Sequence, residues 1–405
     1  MRNFHKILFY SVLIGGLGGC DGGGSSESSS ITTTTNVATP SAQVTAYSWQ
    51  LPPGFPTPKV PEDNPITAAK VDLGHFLFYD RRLSINETIA CANCHKQNRA
   101  FSDGVKTAVG ALGGIHPRNA MSLTNVTYNS AFNWANPLLK TLQQQHLVPM
   151  FNEFPVELGW SDHEQQILDR LRIDPIYKEK FAQAFPNETE PFSVGSVSKA
   201  IAAFVTTLVS GNSAYDKQIY QNQVNGMSDS AKRGMELFNS ERLECFHCHG
   251  GFNFTQSTNH TKTEFIELEF HNNALYNIGG SGAYPENGRG LWELTAQQAD
   301  MGRFRAPTLR NVELTAPYMH DGSIDTLEQV LDHYARGGRN IETGDYAGDG
   351  SRSPYKSDLL VGFVLTPEEK QDVINFLKSL TDWEFVCDTR FSDPFGNIPR
   401  HASCP

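Results

Sequence analysis

The sequence predicts a mainly α-helical protein built from two related modules, and three observations support this prediction. The motif Cys-x-x-Cys-His occurs twice, at residues 91–95 and 245–249. Each copy follows an apolar run with helical spacing, Gly74–Phe78 before the first motif and Gly234–Phe238 before the second. The alternation of apolar and polar residues that marks strands is scarce, so helices should form most of the fold.

Length and composition exclude several classes of protein. The chain has 405 residues, of which 39% are hydrophobic and 19% charged, an ordinary balance for a globular protein. Its formal net charge is −11, and it has no basic stripe. Because nucleic-acid binding needs clustered positive charge, we expect no nucleic-acid partner. The sequence contains no apolar run of the length that a membrane-spanning helix requires.

The N-terminus has the features of an export signal. In residues 1–20, two basic residues precede an apolar stretch at 7–14, and small residues lead to Cys20. This arrangement resembles a bacterial lipobox, in which the cysteine carries lipid; a plain secretory signal with a stray cysteine is the alternative. Both place the mature chain outside the cytoplasm and predict a periplasmic protein. With the lipobox, membrane contact is expected only through the lipid anchor. Residues 21–48 are rich in Gly, Ser and Thr and predict a flexible tether.

The repeated motif predicts covalent attachment of two c-type haems. Two thiols at this spacing can each form a thioether with one porphyrin, and the following histidine can ligate the iron. A zinc site built from two cysteine knuckles needs no histidine after each pair, and a thioredoxin-like redox pair explains only one copy. The predicted attachment residues are Cys91, Cys94 and His95 in the first module and Cys245, Cys248 and His249 in the second.

The repeat also predicts the domain organisation. We expect a first haem domain at residues 49–215, a second at 216–385 and a tail at 386–405. Cys387 and Cys404 lie in this tail. A disulfide between them is permitted outside the cytoplasm, and two free thiols are the alternative.

Three segments near the domain ends give predictions at the level of single elements. Residues 196–210 should form the last helix of the first domain, and the polar segment 211–226 should be a junction. The final helix should begin at the capping box Thr366–Glu369, with proline in its first position, and run to about residue 380.

The segment Phe304–Gly322 reads FRAPTLRNVELTAPYMHDG and resembles the C-terminal signature of bacterial di-haem cytochrome c peroxidases and the related MauG proteins. The likeness extends from about residue 65 to 385. It implies a haem-dependent oxidoreductase with two cytochrome c-like domains, each around one covalently attached haem, that reacts with hydrogen peroxide.

The identity of the second axial ligand separates branches of this family. Peroxidases have a methionine on the helix that follows the signature, whereas MauG-type enzymes have a tyrosine at that position. The matching residue here is Tyr334, which the resemblance implies as an iron ligand. Its neighbour His333 is the rival ligand, and Tyr334 could instead be an ordinary core aromatic residue.

The resemblance implies further roles around the first haem. Glu157, in the run Pro-Val-Glu-Leu-Gly, matches a loop carboxyl that can move a proton between the two peroxide oxygens. Gln145, one of three adjacent glutamines, matches a distal polar residue, and Trp134 matches a tryptophan that bridges the haems. His116 could be a removable distal ligand, but we prefer a structural or surface role. A Ca²⁺ site is also implied, formed by Asn119, Thr315 and Pro317.

Three functions remain open. The runs Met121–Asn129 and Arg390–Pro394 look most like the methanobactin-associated MbnH branch. This likeness implies oxidation of a partner protein's side chain, with tryptophan as the expected target, through a high-valent di-haem state. A peroxide scavenger fed by a small donor cytochrome is the alternative, and it predicts a methionine ligand, Met301 or Met319. The third function is a non-catalytic electron carrier with both irons six-coordinate.

Overall fold

The computed structural model describes residues 45–404. The predicted export signal (1–20), the lipidation residue Cys20 and most of the tether (21–48) lie outside the described residues. Helices dominate the described chain, as predicted, and its only strands are four of two residues each. None of the described helices combines the length and apolar character needed to cross a membrane.

The α-helices of the described chain fall into two groups along the sequence. The first group is α1 (Ala68–Tyr79), α2 (Cys91–Cys94), α3 (Leu142–Phe151), α4 (Glu164–Arg172), α5 (Pro175–Ala184), α6 (Val194–Thr206) and α7 (Ala214–Ile219). The second group is α8 (Asp229–Phe238), α9 (Cys245–His249), α10 (Trp292–Thr295), α11 (Leu327–Ala335), α12 (Pro367–Lys378) and α13 (Trp383–Cys387).

Short 3₁₀ helices and two small antiparallel ribbons complete the secondary structure. The 3₁₀ helices are Arg81–Leu83, Gln97–Arg99, Val126–Tyr128, Glu286–Gly288, Gln298–Asp300, Val312–Leu314, Gly350–Arg352 and Thr389–Phe391. The ribbons pair β1 (His271–Asn272) with β2 (Arg303–Phe304) and β3 (Asn340–Ile341) with β4 (Gly348–Asp349).

Each repeated apolar run forms a helix that crosses a later helix of its module at a glycine. In the first module, a Cβ atom on Gly74 of α1 would lie 1.9 Å from the carbonyl oxygen of Ala200 in α6. In the second module, a Cβ atom on Gly234 of α8 would lie 1.9 Å from the carbonyl oxygen of Asp372 in α12. The same close crossing therefore occurs in both modules, and it explains why the repeat contains a glycine at this position.

Three hydrophobic clusters form the core. The first surrounds α1 and α6, and the second surrounds α8 and α12. The third cluster lies beside β1 and β2 and consists of Ala135, Leu275, Tyr276, Tyr284, Met301, Phe304 and Ile324. Ala135 belongs to the N-terminal part of the chain, so the third cluster joins residues from both predicted haem domains.

The element predictions near the domain ends have mixed outcomes. The predicted helix at 196–210 exists as α6, which begins two residues earlier and ends at Thr206. The capping box is confirmed, since Thr366 and Glu369 cap α12 reciprocally. The segment 211–226 is not only a junction, because it contains α7, whose N-terminus is capped by Ser213.

The C-terminal tail is attached to the first module. Cys387 and Cys404 are joined by a disulfide, so the alternative of two free thiols is wrong. Phe391 is buried in the first cluster, and its carbonyl oxygen accepts a hydrogen bond of 2.6 Å from the Tyr79 hydroxyl. The tail therefore shares the core of the first module.

Candidate di-haem active site

The first cysteine pair stands on the single turn of α2. The Asn93 side chain accepts a hydrogen bond of 2.8 Å from the Ala90 amide, which fixes the start of this turn. His95 follows directly, and its Nδ1 lies 3.0 Å from the carbonyl oxygen of Phe101. Burial lowers the pKa of His95, so the ring is neutral. With Nδ1 occupied by a carbonyl, Nε2 is the atom that can ligate iron.

The second cysteine pair has the same arrangement on α9. Nδ1 of His249 lies 3.2 Å from the carbonyl oxygen of Phe254 and 3.1 Å from that of Pro307. Burial lowers the pKa of His249 to about 4, which also keeps this imidazole neutral. Both motif histidines are therefore oriented by backbone carbonyls, as iron-ligating histidines usually are.

The four motif cysteines are not paired in disulfides, and within the described residues they are not gathered around one point as a zinc site requires. Burial raises the pKa of Cys91, Cys94 and Cys245 to about 12 and that of Cys248 to about 11. Zinc needs thiolates gathered around one ion. Within residues 45–404, the group of ligand atoms close enough to share an ion consists of Glu241, Glu244 and His247, and it contains no cysteine.

A cavity of about 240 Å³ lies beside the second cysteine pair. Cys245, Cys248 and His249 of α9 line it, and so does Tyr334 of α11. Burial raises the pKa of the Tyr334 hydroxyl to about 12. The cavity thus brings two thiols, a neutral imidazole and a phenol together, which is the set of side chains that a covalently attached haem with a tyrosine ligand would need.

The rival ligands of the second iron differ in position. His333 is buried with its Nε2 2.9 Å from the carbonyl oxygen of Asn273, and it is absent from the cavity lining. Met301 is packed in the third cluster and is also absent from the lining. Met319 does line the cavity, and its sulfur accepts a hydrogen bond of 3.2 Å from Asn273 Nδ2. Of these three rivals, only Met319 shares the cavity with Tyr334.

Arg305 is a site residue that sequence analysis missed. It is 3% exposed and lines the same cavity, and its guanidinium contacts the carbonyl oxygens of Asn133 and Ala306 rather than a carboxylate of the described chain. Burial lowers its pKa to about 10, so the guanidinium remains charged at neutral pH. Because a buried charge requires a partner, a haem propionate would fit this position. The only sequence signal was its place inside the signature segment.

Glu157 lies in the loop between α3 and α4. Its Oε1 is 2.7 Å from Nε2 of His116, and each side chain is about one-fifth exposed, at 21% and 23%. The amide of Ala111 donates a hydrogen bond of 2.8 Å to the Glu157 carbonyl oxygen. The negative charge of Glu157 also acts on Cys91, Cys94 and His95, so the loop lies close to the first attachment site.

The three adjacent glutamines of α3 point in different directions. Gln144 caps the helix, and Gln143 binds the exposed side chain of Asp63. Gln145 accepts a hydrogen bond of 3.3 Å from Asn133 Nδ2, next to Trp134. Gln145 is therefore the glutamine that faces the loop between the two predicted haem sites.

Trp134 is held at the second cavity by its neighbours. Its Nε1 donates a hydrogen bond of 2.9 Å to the Asn119 carbonyl oxygen, and its own carbonyl oxygen accepts one of 2.9 Å from the Arg305 amide. The indole lines the second cavity, whereas the preceding residue, Asn133, reaches Gln145 on the side of the first site.

The residues of the predicted calcium site also line the second cavity. They are Asn119, Thr315 and Pro317. The Asn119 amide nitrogen donates to the carbonyl oxygens of Val105 (2.9 Å) and Lys106 (3.3 Å), so its Oδ1 is the side-chain atom that could face a cation. An amide oxygen and backbone carbonyls are ligands that suit Ca²⁺.

Comparison with known proteins agrees with this geometry. The sequence profile of the di-haem cytochrome c peroxidase family matches residues 68–224. The methylamine utilization protein MauG of Methylorubrum extorquens is 32% identical over 332 residues, which cover 82% of this chain and 83% of MauG. The cytochrome c peroxidase Ccp of Escherichia coli is 31% identical over 325 residues, which cover 80% of this chain and 61% of Ccp.

A solved structure is similar over most of the described chain. The crystal structure of a MauG-like protein associated with microbial copper homeostasis has a TM-score of 0.84 and 45% identity, and the match covers 86% of this chain and 100% of that one. Fold and site together define a haem-dependent oxidoreductase. The chain belongs to the di-haem cytochrome c peroxidase family, which includes the MauG proteins.

Proposed function

We propose that the protein is a periplasmic di-haem peroxidase that uses hydrogen peroxide to oxidise a tryptophan side chain of a partner protein. The observation that carries the proposal is the position of Tyr334 in the cavity that also holds Cys245, Cys248 and His249. A phenolate oxygen favours higher oxidation states of iron than a thioether sulfur does, so such a centre suits the storage of oxidising equivalents. Similarity to MauG and to the MauG-like structure supports the same class of reaction.

The side chains around the first site would bind peroxide and move its protons. When bound, the haems supply the iron centres that accept the oxidising equivalents of peroxide. His95 would hold the first iron from one side. Glu157 would take a proton from one peroxide oxygen and deliver it to the other, a transfer that one carboxyl can perform. Gln145 would hydrogen-bond the bound peroxide.

The side chains between the sites would pass the oxidising equivalent and hold the second haem. Trp134 would relay an electron because its indole is readily oxidised and lines the second cavity. Arg305 would bind an anionic propionate, which gives its buried charge a partner. His249 and Tyr334 would hold the second iron.

A peroxide scavenger fed by a donor cytochrome is the second candidate, because Met319 lines the same cavity. Spectra of the ferric holoenzyme separate the two candidates. A methionine–iron charge-transfer band that disappears in Met319→Leu would favour the scavenger. A tyrosinate-ligated low-spin signal that survives in Met319→Leu would favour partner oxidation.

The experiment that tests the proposed function uses a secreted protein with an exposed tryptophan, encoded beside this gene, as the candidate partner. The holoenzyme is mixed with that protein and hydrogen peroxide, and tryptic peptides are analysed by mass spectrometry. We expect tryptophan to become kynurenine with no donor cytochrome present. The proposal would be contradicted if the partner's tryptophan stayed intact and peroxide were consumed only when reduced cytochrome was added.

Four further features belong to the proposal. We propose thioether attachment at both motifs, haem domains at 49–215 and 216–385, a Ca²⁺ ion between them and a lipid anchor at Cys20. Attachment is checked by mass spectrometry under denaturing conditions, where both haems should remain with the polypeptide. Bound calcium is checked by elemental analysis before and after dialysis against a chelator.

A further inference from the structure

A row of three tyrosines leads from the second cavity to the protein surface. It starts at His320, which lines the cavity. Ring centroids are separated by 6.3 Å from His320 to Tyr284, by 5.4 Å from Tyr284 to Tyr276 and by 5.7 Å from Tyr276 to Tyr346. Tyr284 and Tyr276 are 4% and 6% exposed, whereas Tyr346 is 49% exposed. The row therefore connects a buried site with solvent.

Packing fixes the first ring of the row. Gly302 has a φ of +70°, and a Cβ atom there would lie 2.2 Å from the ring of Tyr284. The Tyr284 hydroxyl donates a hydrogen bond of 2.7 Å to Asn272 Oδ1 and accepts one of 3.2 Å from the Leu275 amide. Because electron tunnelling slows steeply with distance, fixed rings at these short separations can pass an electron efficiently.

The hydrogen-bond partners distinguish the two buried tyrosines chemically. A phenol that loses an electron becomes a strong acid, so a stable radical needs a nearby proton acceptor. Tyr276 donates a hydrogen bond of 2.6 Å to Oδ2 of Asp321, a carboxylate that can take the proton. Tyr284 donates to an amide oxygen, which is a very weak base. Tyr276 is therefore the position where a radical would rest.

The surroundings of Asp321 keep it ready to accept a proton. Burial acts to raise the pKa of Asp321, but His320, the Tyr276 hydroxyl and Ser323 outweigh burial and lower the pKa below its usual value. The Ser323 amide donates a hydrogen bond of 3.1 Å to the other carboxylate oxygen, Oδ1. Asp321 thus has one oxygen held by Ser323 and the other directed at the Tyr276 hydroxyl.

We infer that Tyr276 and Asp321 form a redox site through which oxidising equivalents leave the second haem and reach the surface at Tyr346. The inference rests on the proposed function, because hydrogen peroxide is the oxidant. Tyr276 gives one electron, by way of Tyr284, to the peroxide-oxidised haem pair and its hydroxyl proton to Asp321. This leaves a neutral tyrosyl radical and a carboxylic acid.

The electron lost by Tyr276 is then replaced from the surface. Tyr346 gives an electron to the Tyr276 radical and its own hydroxyl proton to water, while Asp321 returns its proton to Tyr276. The Tyr346 radical finally takes an electron and a proton from the partner's side chain. Each passage reduces the haem pair by one electron and oxidises the partner by one, so two passages use the two equivalents of one peroxide molecule.

The test follows radicals in the holoenzyme with one equivalent of hydrogen peroxide and no partner. Samples are freeze-quenched for EPR, and parallel samples are treated with a spin trap whose adducts are located by peptide mass spectrometry. Variants Tyr276→Phe, Asp321→Asn and Tyr346→Phe are compared with the control Tyr355→Phe, which removes a hydroxyl next to the third cluster but outside the row.

We expect the wild type and Tyr355→Phe to give a tyrosyl radical, with trap adducts at Tyr276 and Tyr346. Tyr276→Phe and Asp321→Asn should lose that radical, and their oxidised haem state should decay at least about tenfold more slowly, a change of about 1.4 kcal/mol in activation free energy. Tyr346→Phe should keep the Tyr276 radical and prolong it.

Two results would overturn the inference, and they are distinguishable. In the first result, the oxidised haem state forms normally but decays at the wild-type rate in both Tyr276→Phe and Tyr346→Phe. This result would exclude the tyrosine row as a route for electrons and leave the proposed function intact. Absence of any oxidised haem state in the wild type after peroxide addition would overturn the proposed function together with the row.

Discussion

Two neighbouring residues of α11 illustrate how a single helical step selects a ligand. Successive positions on an α-helix differ by about 100° around the axis, because a turn contains 3.6 residues. His333 is directed to the carbonyl oxygen of Asn273, whereas Tyr334 lines the second cavity. The sequence left both residues as candidates, and the rotation between them separates the two. We retain Tyr334 as the proposed ligand on this geometry.

The proposed acid–base role of Glu157 can be tested by substitution. Glu157→Gln keeps the side-chain size but removes the acid–base group, so peroxide cleavage should slow by about 10²–10⁴-fold. Stopped-flow absorbance of the holoenzyme after mixing with peroxide measures this rate. The control is Glu153→Gln in the same loop, whose side chain is exposed. Equal rates for Glu157→Gln and the wild type would exclude Glu157 as the acid–base residue.

Trp134 can be tested in the same way. Trp134→Phe keeps an aromatic ring but removes the readily oxidised indole and its hydrogen bond to Asn119. Both haems should remain bound, while oxidation of the second haem becomes slower because the relay is lost. Time-resolved spectra of the two haems after peroxide addition measure the transfer. Trp292→Phe, which alters a tryptophan packed on the third cluster, is the control. An unchanged transfer rate in Trp134→Phe would remove it from the route.

At the residue scale, a sequence reveals chemistry that depends on local spacing. The two attachment motifs are visible because cysteines and histidine adjoin in the chain. The contact between His116 and Glu157 spans 41 positions, and no local pattern signals it. Arg305 was missed for a similar reason, since an arginine in a sequence gives no sign that folding will bury its charge beside a cavity.

At the scale of secondary-structure elements, the repeat reflects packing as well as chemistry. Gly74 and Gly234 occupy the same place in the two modules, and each allows a helix to cross another at backbone distance. Sequence analysis found both runs from their apolar rhythm. It could not assign the glycines, because the partner helices α6 and α12 lie more than a hundred residues further along the chain.

Alanine substitutions test this role of the glycine. In Gly74→Ala the new methyl group would lie 1.9 Å from a backbone oxygen, so α1 and α6 must separate. We expect a loss of about 1–3 kcal/mol in the free energy of unfolding, measured by chemical denaturation. Gly195→Ala within α6 is the matched control, since its new methyl group would lie 3.8 Å from the Ser193 hydroxyl, an ordinary contact distance. Equal stability of the two variants would contradict a close crossing at Gly74.

The helix α7 shows why the segment 211–226 was predicted as a junction. Its sequence is polar and short, but Asp216 forms a fully buried ion pair of 2.8 Å with Arg310 and also caps the helix at Ser213. The partner lies 94 positions away. A tertiary interaction therefore stabilises a helix that local propensity does not predict.

At the scale of the whole molecule, the C-terminal segment packs into the core of the first module. Phe385, Val386 and Phe391 pack with residues of α1 and α6 in the first cluster. A polar contact also supports this attachment, since His75 Nε2 lies 2.7 Å from the Ser392 carbonyl oxygen. The sequence permitted a disulfide in the tail and left two free thiols open, and it could not show that the tail belongs to the first module.

Removal of the disulfide tests how strongly the tail is held. The double variant Cys387→Ser/Cys404→Ser opens a loop with a sequence separation of 17. We expect a loss of about 3 kcal/mol in the free energy of unfolding, because the unfolded chain regains the entropy of that loop. Chemical denaturation measures the loss, and limited proteolysis should show earlier cleavage after Cys387. A double variant as stable and as protease-resistant as the wild type would show that the disulfide contributes little.

The most direct test of the whole account is the EPR and visible spectrum of ferric Tyr334→Phe holoenzyme. Tyr334 lines the second cavity with His249, and phenylalanine fills the same space without an oxygen. We predict that the low-spin signal of the second haem is lost or replaced, while the signal of the first haem is unchanged. Spectra identical to those of the wild type at both haems would contradict tyrosine ligation and, with it, the proposed oxidation of a partner protein.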